Sequence, residues 1–236
     1  MPGTEARENL NEGDIYYSEE HHDKQREHLA TRTFKLGPGT SWTLYNDPKR
    51  LAFVLSRYKF CSRIIEGKEN VLEVGCGEGF GLPIVAKAVG RIVALDGEEV
   101  ILRDTAKRLC FLENVKFSTI NFLEDRPGEI FNAAYALDLI EHIPKEHEHG
   151  FMKNLHGSVH DDGIALLGTP NVTTAPYASE ASRVAHVNLK SHEELRNLMG
   201  EYFVNTFMFS MNDEIVHTGF HPMAHYIFSL GVGKRL

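Results

Sequence analysis

Acidic and imidazole side chains follow one apolar run of the chain at close spacing. In ALDLIEHIPKEHEHG, residues 136–150, the apolar run ends at Asp138, and Glu141 and His142 come within the next turn. Carboxylates and imidazoles take up protons from reacting groups and bind divalent cations. Carboxylates are also favoured in the first turn of a helix. The segment is therefore consistent with a metal site, a catalytic base, part of a cofactor pocket, or only the charged start of a helix.

A glycine-rich segment earlier in the chain points to a cofactor. VLEVGCGEGFG, residues 71–81, places Gly75, Gly77 and Gly79 between a strand-like run and a helical pattern. Backbone NH groups and a helix N-terminus can approach a ligand closely at such a loop. Asp96 follows the next apolar run, 21 residues after Gly75, where a carboxylate can accept hydrogen bonds from both ribose hydroxyls. The nicotinamide fingerprint GxGxxG is not met, because its sixth position is Phe80.

The elements that must position these residues alternate along the chain. A first helix is predicted with Asp47 as its N-cap and Pro48 at its first position, ending at Gly67. Strands and helices then alternate, with strands at 71–74, 91–95, 115–119, 131–137 and 164–168, and helices at 80–89, 98–111 and 145–158. This alternation predicts a parallel sheet covered by helices on both faces.

The pattern changes near the end of the chain. Ser191 and Glu194 have capping-box spacing, and the helix that they open is predicted to stop at Gly200. Two strands at 202–211 and 223–231 follow without a helix between them, so they must pair antiparallel or lie apart. The predicted fold is a doubly wound, Rossmann-like α/β sheet of seven strands, mainly parallel with an antiparallel last strand. We expect an N-terminal arm and lid helix at residues 1–66 and a single globular domain at 67–236.

The motif hhExGxGxG, with Glu73 inside the first strand, resembles motif I of class I S-adenosylmethionine-dependent methyltransferases. The resemblance implies that Gly75, Cys76 and Gly77 pass the methionine part of the cofactor. It also implies that Asp96 holds the ribose. The full set of predicted cofactor-binding residues is Glu73, Gly75, Cys76, Gly77, Gly79, Asp96, Gly97, Asn121, Phe122 and Asp138. Within this set Asn121 and Phe122 would face the adenine, although Asn121 also suits an ordinary turn.

A second resemblance concerns the segment after the fourth strand, which enters the cleft because ligands bind beyond the carboxyl ends of parallel strands. Ubiquinone-pathway O-methyltransferases and the methyltransferase of small-RNA 3′ ends share ExxEH followed by a distant His before an EEL-like helix. This chain has Asp138, Glu141, His142 and, in HVNLKSHEEL, His186. The resemblance implies a divalent metal bound by these four residues, with Asp in place of the first Glu. Otherwise His142 or His186 would be the catalytic general base.

Two further segments are predicted to form the walls of an acceptor site. Residues 31–60 supply Trp42 and Tyr45 on a loop and Arg57 on the first helix, where Arg57 either pairs with an anion or is solvated. Residues 168–188 form a connection of about twenty residues at the ligand edge, and a connection of that length is usually a functional lid. His147, His149, His156 and His160 are predicted to be exposed.

The composition excludes several classes of protein. The net charge is −8 and no run of Lys or Arg exceeds two residues, so a DNA-binding surface is not expected. No apolar stretch approaches the roughly eighteen residues of a membrane span, and the N-terminus has no signal-peptide core. The sequence therefore predicts a cytoplasmic protein without membrane attachment. Its three cysteines form no CxxC pair, which supports neither a disulfide framework nor a thiolate zinc site.

The function that these patterns favour is O-methylation of a small polar metabolite, either sugar-like, hydroxylated or phosphorylated, with S-adenosyl-L-methionine as methyl donor. An RNA 2′-O-methyltransferase is the alternative within the enzyme class. A non-catalytic partner subunit that binds S-adenosylmethionine is the alternative outside it. The sequence does not predict the acceptor or the oligomeric state.

Overall fold

A computed structural model describes residues 20–30 and 33–235, and the chain divides into two units after Lys35. In the first unit, residues Glu20–Ala30 form helix α1, whose side chains are mostly polar or charged. Residues 1–19 of the predicted N-terminal arm lie outside the described part of the chain. The second unit begins at Leu36, so the residues 36–66 that we assigned to the arm and lid belong to the same unit as the sheet.

The described residues of the second unit form seven α-helices, four short 3₁₀ helices and eight strands. The helices are α2 Pro38–Asn46, α3 Lys49–Ile64, α4 Leu82–Ala86, α5 Glu99–Arg108, α6 Glu148–Ser158, α7 Glu180–Ala185 and α8 His192–Tyr202. The strands are β1 Asn70–Val74, β2 Arg91–Asp96, β3 Val115–Thr119, β4 Phe131–Leu137, β5 Val159–Pro170, β6 Phe203–Asn212, β7 Ile215–His217 and β8 Tyr226–Lys234.

All eight strands belong to one sheet with the order β3-β2-β1-β4-β5-β8-β6-β7. Among β1 to β5, every pair of neighbouring strands is parallel. Strand β8 lies between β5 and β6 and is antiparallel to both. The predicted fold class is therefore confirmed. The predicted count of seven strands was wrong by one, because Asp213, with φ +50°, allows a tight turn that pairs β7 with β6. That turn contains no glycine, so its sequence gave no strong hairpin signal.

The core occupies both faces of the sheet, as alternation along the strands requires. Neighbouring residues such as Val71 and Leu72 of β1 lie on opposite faces and are both fully buried. Helices α3, α4 and α5 cover the first face, and α6 and α8 cover the second. The carboxyl ends of the parallel strands are thereby left open at one edge, where the ligand site of a doubly wound sheet is expected.

Several predicted element ends differ from the observed ones. Asp47 does not cap α3; its NH donates to Thr43 at the end of α2, so Pro48 becomes the N-cap residue of α3. Helix α2 itself replaces the predicted loop that carries Trp42. The capping box of α8 is confirmed, but the helix continues past Gly200 to Tyr202. Among the described residues, no helix is both long and apolar enough to cross a membrane.

Candidate cofactor and acceptor site

The candidate site lies where β1 and β4 are neighbours in the sheet. The chain leaves β1 toward β2 on one side and β4 toward β5 on the other, which makes this the switch point of the topology. A cavity of about 200 Å³ lies there. It is lined by Val74, Gly75, Leu95, Asp96, Gly97, Ile120, Asn121, Phe122, Leu123, Leu139, His142, Ile143 and Phe151. Six residues predicted from sequence are among them: Gly75, Asp96, Gly97, Asn121, Phe122 and His142.

The glycine loop after β1 needs its glycines for two different reasons. Gly75 has φ +76°, and a Cβ on it would lie 2.8 Å from Leu139. Gly77 has φ +49°, and a Cβ on it would meet nothing within 4 Å. Gly75 therefore permits close packing of the cavity wall. The space beside Gly77 is open to a ligand.

Asp96, at the carboxyl end of β2, holds the glycine loop from the other side of the cavity. Its Oδ2 accepts a hydrogen bond from the NH of Gly77 at 2.8 Å, and its Oδ1 accepts one from the NH of Glu98 at 2.9 Å. Each carboxylate oxygen has a second lone pair for a ligand hydroxyl. The arrangement fits the ribose diol of S-adenosylmethionine, and the same carboxylate sets the shape of the loop.

Glu73 lies inside β1, buried between two tyrosines. Its Oε1 accepts a hydrogen bond from the Tyr58 hydroxyl at 3.1 Å, and among the described residues its Oε2 has no partner. Burial raises the pKa of Glu73 to about 7. Glu73 does not line the cavity. Glu73 is nevertheless near the carboxyl end of β1, the strand that leads directly into the glycine loop.

Replacing Glu73 by Gln is expected to change how stability depends on pH. Between its ordinary pKa of 4.5 and the folded value near 7, Glu73 ionises in the unfolded chain but stays protonated in the folded one. The folded state therefore loses stability as pH rises through this window. Relative to wild type, Glu73→Gln should gain about 2 to 3 kcal/mol of unfolding free energy between pH 4.5 and 8. Urea unfolding of both proteins at several pH values measures the difference. The exposed Glu113→Gln is the control, and a pH-independent difference for Glu73→Gln would contradict the assignment.

Cys76 and Gly79 are held in the loop by packing and do not line the cavity. The NH of Cys76 donates to the carbonyl of Leu95 at 2.9 Å, and burial raises the pKa of the Cys76 thiol. Burial therefore disfavours the thiolate that a nucleophilic role would require. Gly79 has φ +65°, and a Cβ on it would lie 2.6 Å from Leu109.

Asn121 and Phe122 follow β3, as the adenine prediction requires, and both line the cavity. Phe122 is buried, with its ring centroid 5.7 Å from that of Phe151. Asn121 is exposed, and its side-chain oxygen also accepts a hydrogen bond from the NH of Leu123. Asn121 therefore shapes the turn as well as lining the cavity, so the two alternatives left open by the sequence are compatible.

Asp138 directly follows β4 and lies near Glu141, but it is not part of the group of possible metal ligands formed by Glu141, His142 and His186. Its two carboxylate oxygens accept hydrogen bonds from Nη1 of Arg57 at 2.7 and 2.8 Å. Arg57 is buried, so it is neither a solvated helix residue nor free to bind an external anion through that nitrogen. Asp138 also does not line the cavity.

Glu141, His142 and His186 form one cluster beside the cavity. One ligand atom from each lies within 4.8 Å of the others. Glu141 is fully buried; its Oε2 accepts from the Thr169 hydroxyl at 2.9 Å, and its Oε1 has no partner among the described residues. Burial and the neighbouring Asp138 raise the pKa of Glu141. The ring centroids of His142 and His186 are 5.0 Å apart. Three of the four predicted ligands are therefore brought together.

The donors of this cluster fit a divalent transition metal, because one carboxylate and two imidazoles suit such ions. Nδ1 of His142 donates to the carbonyl of Ala185 at 3.0 Å, which orients the ring and leaves its other nitrogen available. Burial and the nearby His142 lower the pKa of His186, which favours its neutral imidazole. The same three residues also suit proton transfer without a metal.

A buried polar network holds the segment that follows His186, and no sequence pattern predicted it. The NH of Asn188 donates to the carbonyl of Glu141 at 3.0 Å, and its side-chain amide donates to Glu148 at 3.0 Å. Lys190, which is 1% exposed, pairs with the same Glu148 carboxylate. Lys and Glu are rarely buried unless they are paired, so sequence alone favours a surface position for both.

The predicted acceptor walls occupy the same edge of the fold. Helix α2 is attached to the glycine loop because Glu78 accepts hydrogen bonds from the NH groups of Gly39 and Thr40 at 2.6 and 2.8 Å. On α2, Trp42 and Tyr45 are exposed. The predicted lid contains a 3₁₀ helix at Val172–Tyr177 and then α7.

The other four histidines that the sequence singled out, among the described residues, are not part of this cluster. His147, His149 and His160 are exposed as predicted. His156 is only half-buried rather than exposed, because its Nε2 bonds to the carbonyl of Arg235 at 3.1 Å. A more open groove of about 430 Å³ lies between α8 and the start of β6, and none of the predicted site residues lines it.

Comparison with known proteins decides the family. The model of a family described as "Methyltransferase domain" matches residues 46–202. The chain belongs to this family. S-adenosylmethionine is the cofactor of class I methyltransferases, so the family and cofactor predicted from motif I are confirmed.

Curated relatives match this methyltransferase-domain chain over part of their length. A probable S-adenosylmethionine-dependent methyltransferase of Mycobacterium tuberculosis is 24% identical over 132 residues, covering 55% of this chain and 46% of the relative. The ubiquinone biosynthesis O-methyltransferase of Rickettsia felis is 29% identical over 138 residues, covering 56% and 53%. The matches thus span about half the length of these relatives.

Solved structures share the fold at low sequence identity. The methyltransferase domain of bacterial CtHen1-C has a TM-score of 0.65 at 15% identity, covering 77% of this chain and 99% of that domain. A complex of DhpI with S-adenosylhomocysteine (SAH) has a TM-score of 0.59 at 16% identity, covering 91% and 95%. At these identities the likeness establishes the fold alone.

Proposed function

We propose that the protein is an S-adenosylmethionine-dependent methyltransferase that methylates an oxygen of a small polar acceptor. The observation that carries this proposal is the position of His142. It lines the cavity together with Asp96 and the glycine loop, and it also belongs to the cluster with Glu141 and His186. One side chain thus connects the predicted cofactor pocket to the groups that can act on an acceptor.

The residues of the cavity would position the donor. Asp96 would hold the ribose and Asn121 and Phe122 the adenine, while the open side of Gly77 admits the chain toward the sulfur. When bound, S-adenosylmethionine supplies a sulfonium methyl group, whose carbon accepts an oxygen lone pair as its bond to sulfur breaks. Since this is an in-line displacement, positioning by the protein accounts for much of the rate.

The cluster beside the cavity would take the proton of the acceptor hydroxyl. His186 is half-buried, its pKa is lowered by burial, and its ring lies next to that of His142, so either imidazole could accept that proton. We also propose that Glu141, His142 and His186 hold a divalent cation, which would lower the pKa of a bound hydroxyl. Asp138 is left out of the proposed ligand set because Arg57 holds it.

The acceptor class is supported by one relative and by the chemistry of the cluster. The Rickettsia felis relative is named an O-methyltransferase, and the cluster combines charged and hydrogen-bonding groups suited to hydroxyls. The net charge of −8 disfavours a long polyanion such as RNA. A small hydroxylated or phosphorylated metabolite is therefore the proposed acceptor, reached beneath the segment at residues 168–188.

The proposal is tested by methyl transfer itself. The protein is incubated with S-adenosylmethionine labelled on the methyl group and with a size-fractionated extract of its own source, and labelled products are identified by mass. We expect label in small polar compounds, as an ether that resists mild alkaline hydrolysis. Label that is found in RNA and is removed by nuclease would show that RNA, rather than a small metabolite, is the acceptor. No label in any fraction, with SAH still bound, would favour a non-catalytic subunit.

A further inference from the structure

Arg57 of α3 reaches across the open edge of the sheet to the residue that follows β4. Its Nη1 contacts both oxygens of Asp138, and its guanidinium carbon lies 3.9 Å from the centre of the Tyr226 ring. The Arg57 side chain is 9% exposed and that of Asp138 is 33% exposed. The ion pair is therefore largely shielded from water, where such a pair is screened much less than at the surface.

Asp138 has an unusual backbone conformation at this point. Its φ of +55° makes it one of two non-glycine residues with positive φ in the described part of the chain. Asp tolerates this left-handed region better than most residues do, but a constraint is still needed to hold it there. The NH of Asp138 donates to the carbonyl of Gly168 at 2.9 Å, and the Arg57 pair adds a contact from helix α3 to the Asp138 side chain.

The turn at Asp138 places residues that follow it in the chain at the wall of the cavity. Leu139 packs against Gly75 so closely that a Cβ there would lie 2.8 Å away. Leu139 and His142 both line the cavity, whereas Arg57 and Asp138 do not. A change at Arg57 can therefore affect the cavity through the turn after β4 without a direct contact to the ligand.

We propose that Arg57 is a positioning residue: by pairing with Asp138 it fixes the left-handed turn that sets Leu139 and His142 against the bound cofactor. Without Arg57, the Asp138 carboxylate would remain beside the buried Glu141 with no cation to balance it. The carboxylate would then rotate toward solvent, and the backbone turn at Asp138 would no longer be held. This inference rests on the proposed function for the identity of the ligand.

The first measurement is SAH affinity by calorimetry, which needs no acceptor. Arg57→Met keeps an apolar stem against Tyr226 but removes the charge, and we expect it to weaken SAH binding about tenfold. Arg57→Lys should recover part of the loss. Arg63→Met, on the exposed side of the same helix, should bind SAH like wild type.

Backbone variants of Asp138 separate positioning from a loss of folding. Asp138→Gly removes the carboxylate but permits positive φ, whereas Asp138→Ala removes the carboxylate and disfavours that φ. We expect the affinity for SAH to fall in the order wild type, Gly variant, Ala variant. Adding Arg57→Met to Asp138→Gly should cost less than twofold more, because the partner is already gone. Circular dichroism and urea unfolding identify any variant that has not folded.

The outcomes distinguish this inference from the proposed function. Failure of the wild-type protein to bind SAH overturns both. Wild-type binding with equal binding by Arg57→Met overturns the positioning role alone. Equal affinities for Asp138→Gly and Asp138→Ala, or additive losses in the double variant, also overturn it, because the turn would not then transmit the effect.

Discussion

Asp96→Ala should lower the affinity for SAH at least about 100-fold, which corresponds to about 2.7 kcal/mol of binding free energy. Two losses combine in this variant. The ribose loses its carboxylate acceptor, and the NH groups of Gly77 and Glu98 lose the partner that holds the glycine loop. Hydrogen bonds to a charged group contribute about 1.5 to 3 kcal/mol each, so the combined effect should be large. The measurement is the rise in melting temperature on adding SAH, with calorimetric titration for the dissociation constants.

Two matched variants define what the Asp96 result means. Asp96→Asn keeps one oxygen acceptor and should lose about tenfold in affinity rather than 100-fold. Asp161→Ala removes an aspartate whose side chain is 91% exposed, and should leave SAH binding unchanged. If Asp96→Ala gained as much thermal stability from SAH as wild type does, the ribose assignment and the proposed cavity would both be wrong.

His186→Ala and Glu141→Gln should each weaken binding of Co²⁺ at least about 100-fold if the cluster holds a metal. Loss of a supporting group around a metal typically costs 10- to 100-fold in affinity, and removal of a ligand should cost at least as much. The absorption of Co²⁺ bound at a site with imidazole ligands gives a direct titration. SAH affinity should change less than twofold in both variants, because neither side chain lines the cavity.

The exposed His160→Ala is the control for the metal experiment. It removes an imidazole outside the cluster and should bind Co²⁺ like wild type. His142→Ala should differ from His186→Ala by weakening both Co²⁺ and SAH binding, since His142 belongs to both sites. If wild-type protein binds no Co²⁺ and a strong chelator leaves methyl transfer unchanged, the metal proposal fails and the histidines remain as general bases.

Five of the residues predicted to bind the cofactor line the cavity, because the pattern that predicted them depends on local chemistry. Gly75 must have positive φ beside Leu139, and Asp96 must end β2, so motif and spacing are visible along the chain. The motif was less able to predict which atoms line the cavity. Cys76, Gly77, Gly79 and Glu73 belong to the glycine loop or to β1, but they are not among the residues that line the cavity.

The acceptor side was only partly predictable. The sequence grouped Asp138 with Glu141, His142 and His186 by resemblance, and the fold brings the last three together. It could not show that Asp138 is paired with Arg57, because that contact joins residues 81 positions apart. Leu139 and Ile143 were also missed, although their position directly after the fourth strand was a signal that could have found them.

What the sequence determined by itself is the alternation of strands and helices, the glycine loop and the acid after the second strand, since periodicity, capping and turn chemistry act over a few residues. Only the tertiary structure decided which charged side chains are buried and paired with one another. Arg57 and Lys190 look like surface residues in the sequence, yet each is buried against a carboxylate on another element. Burial makes an unpaired charge costly, so only the packed fold determines which acid remains available for chemistry and which one holds a turn in place.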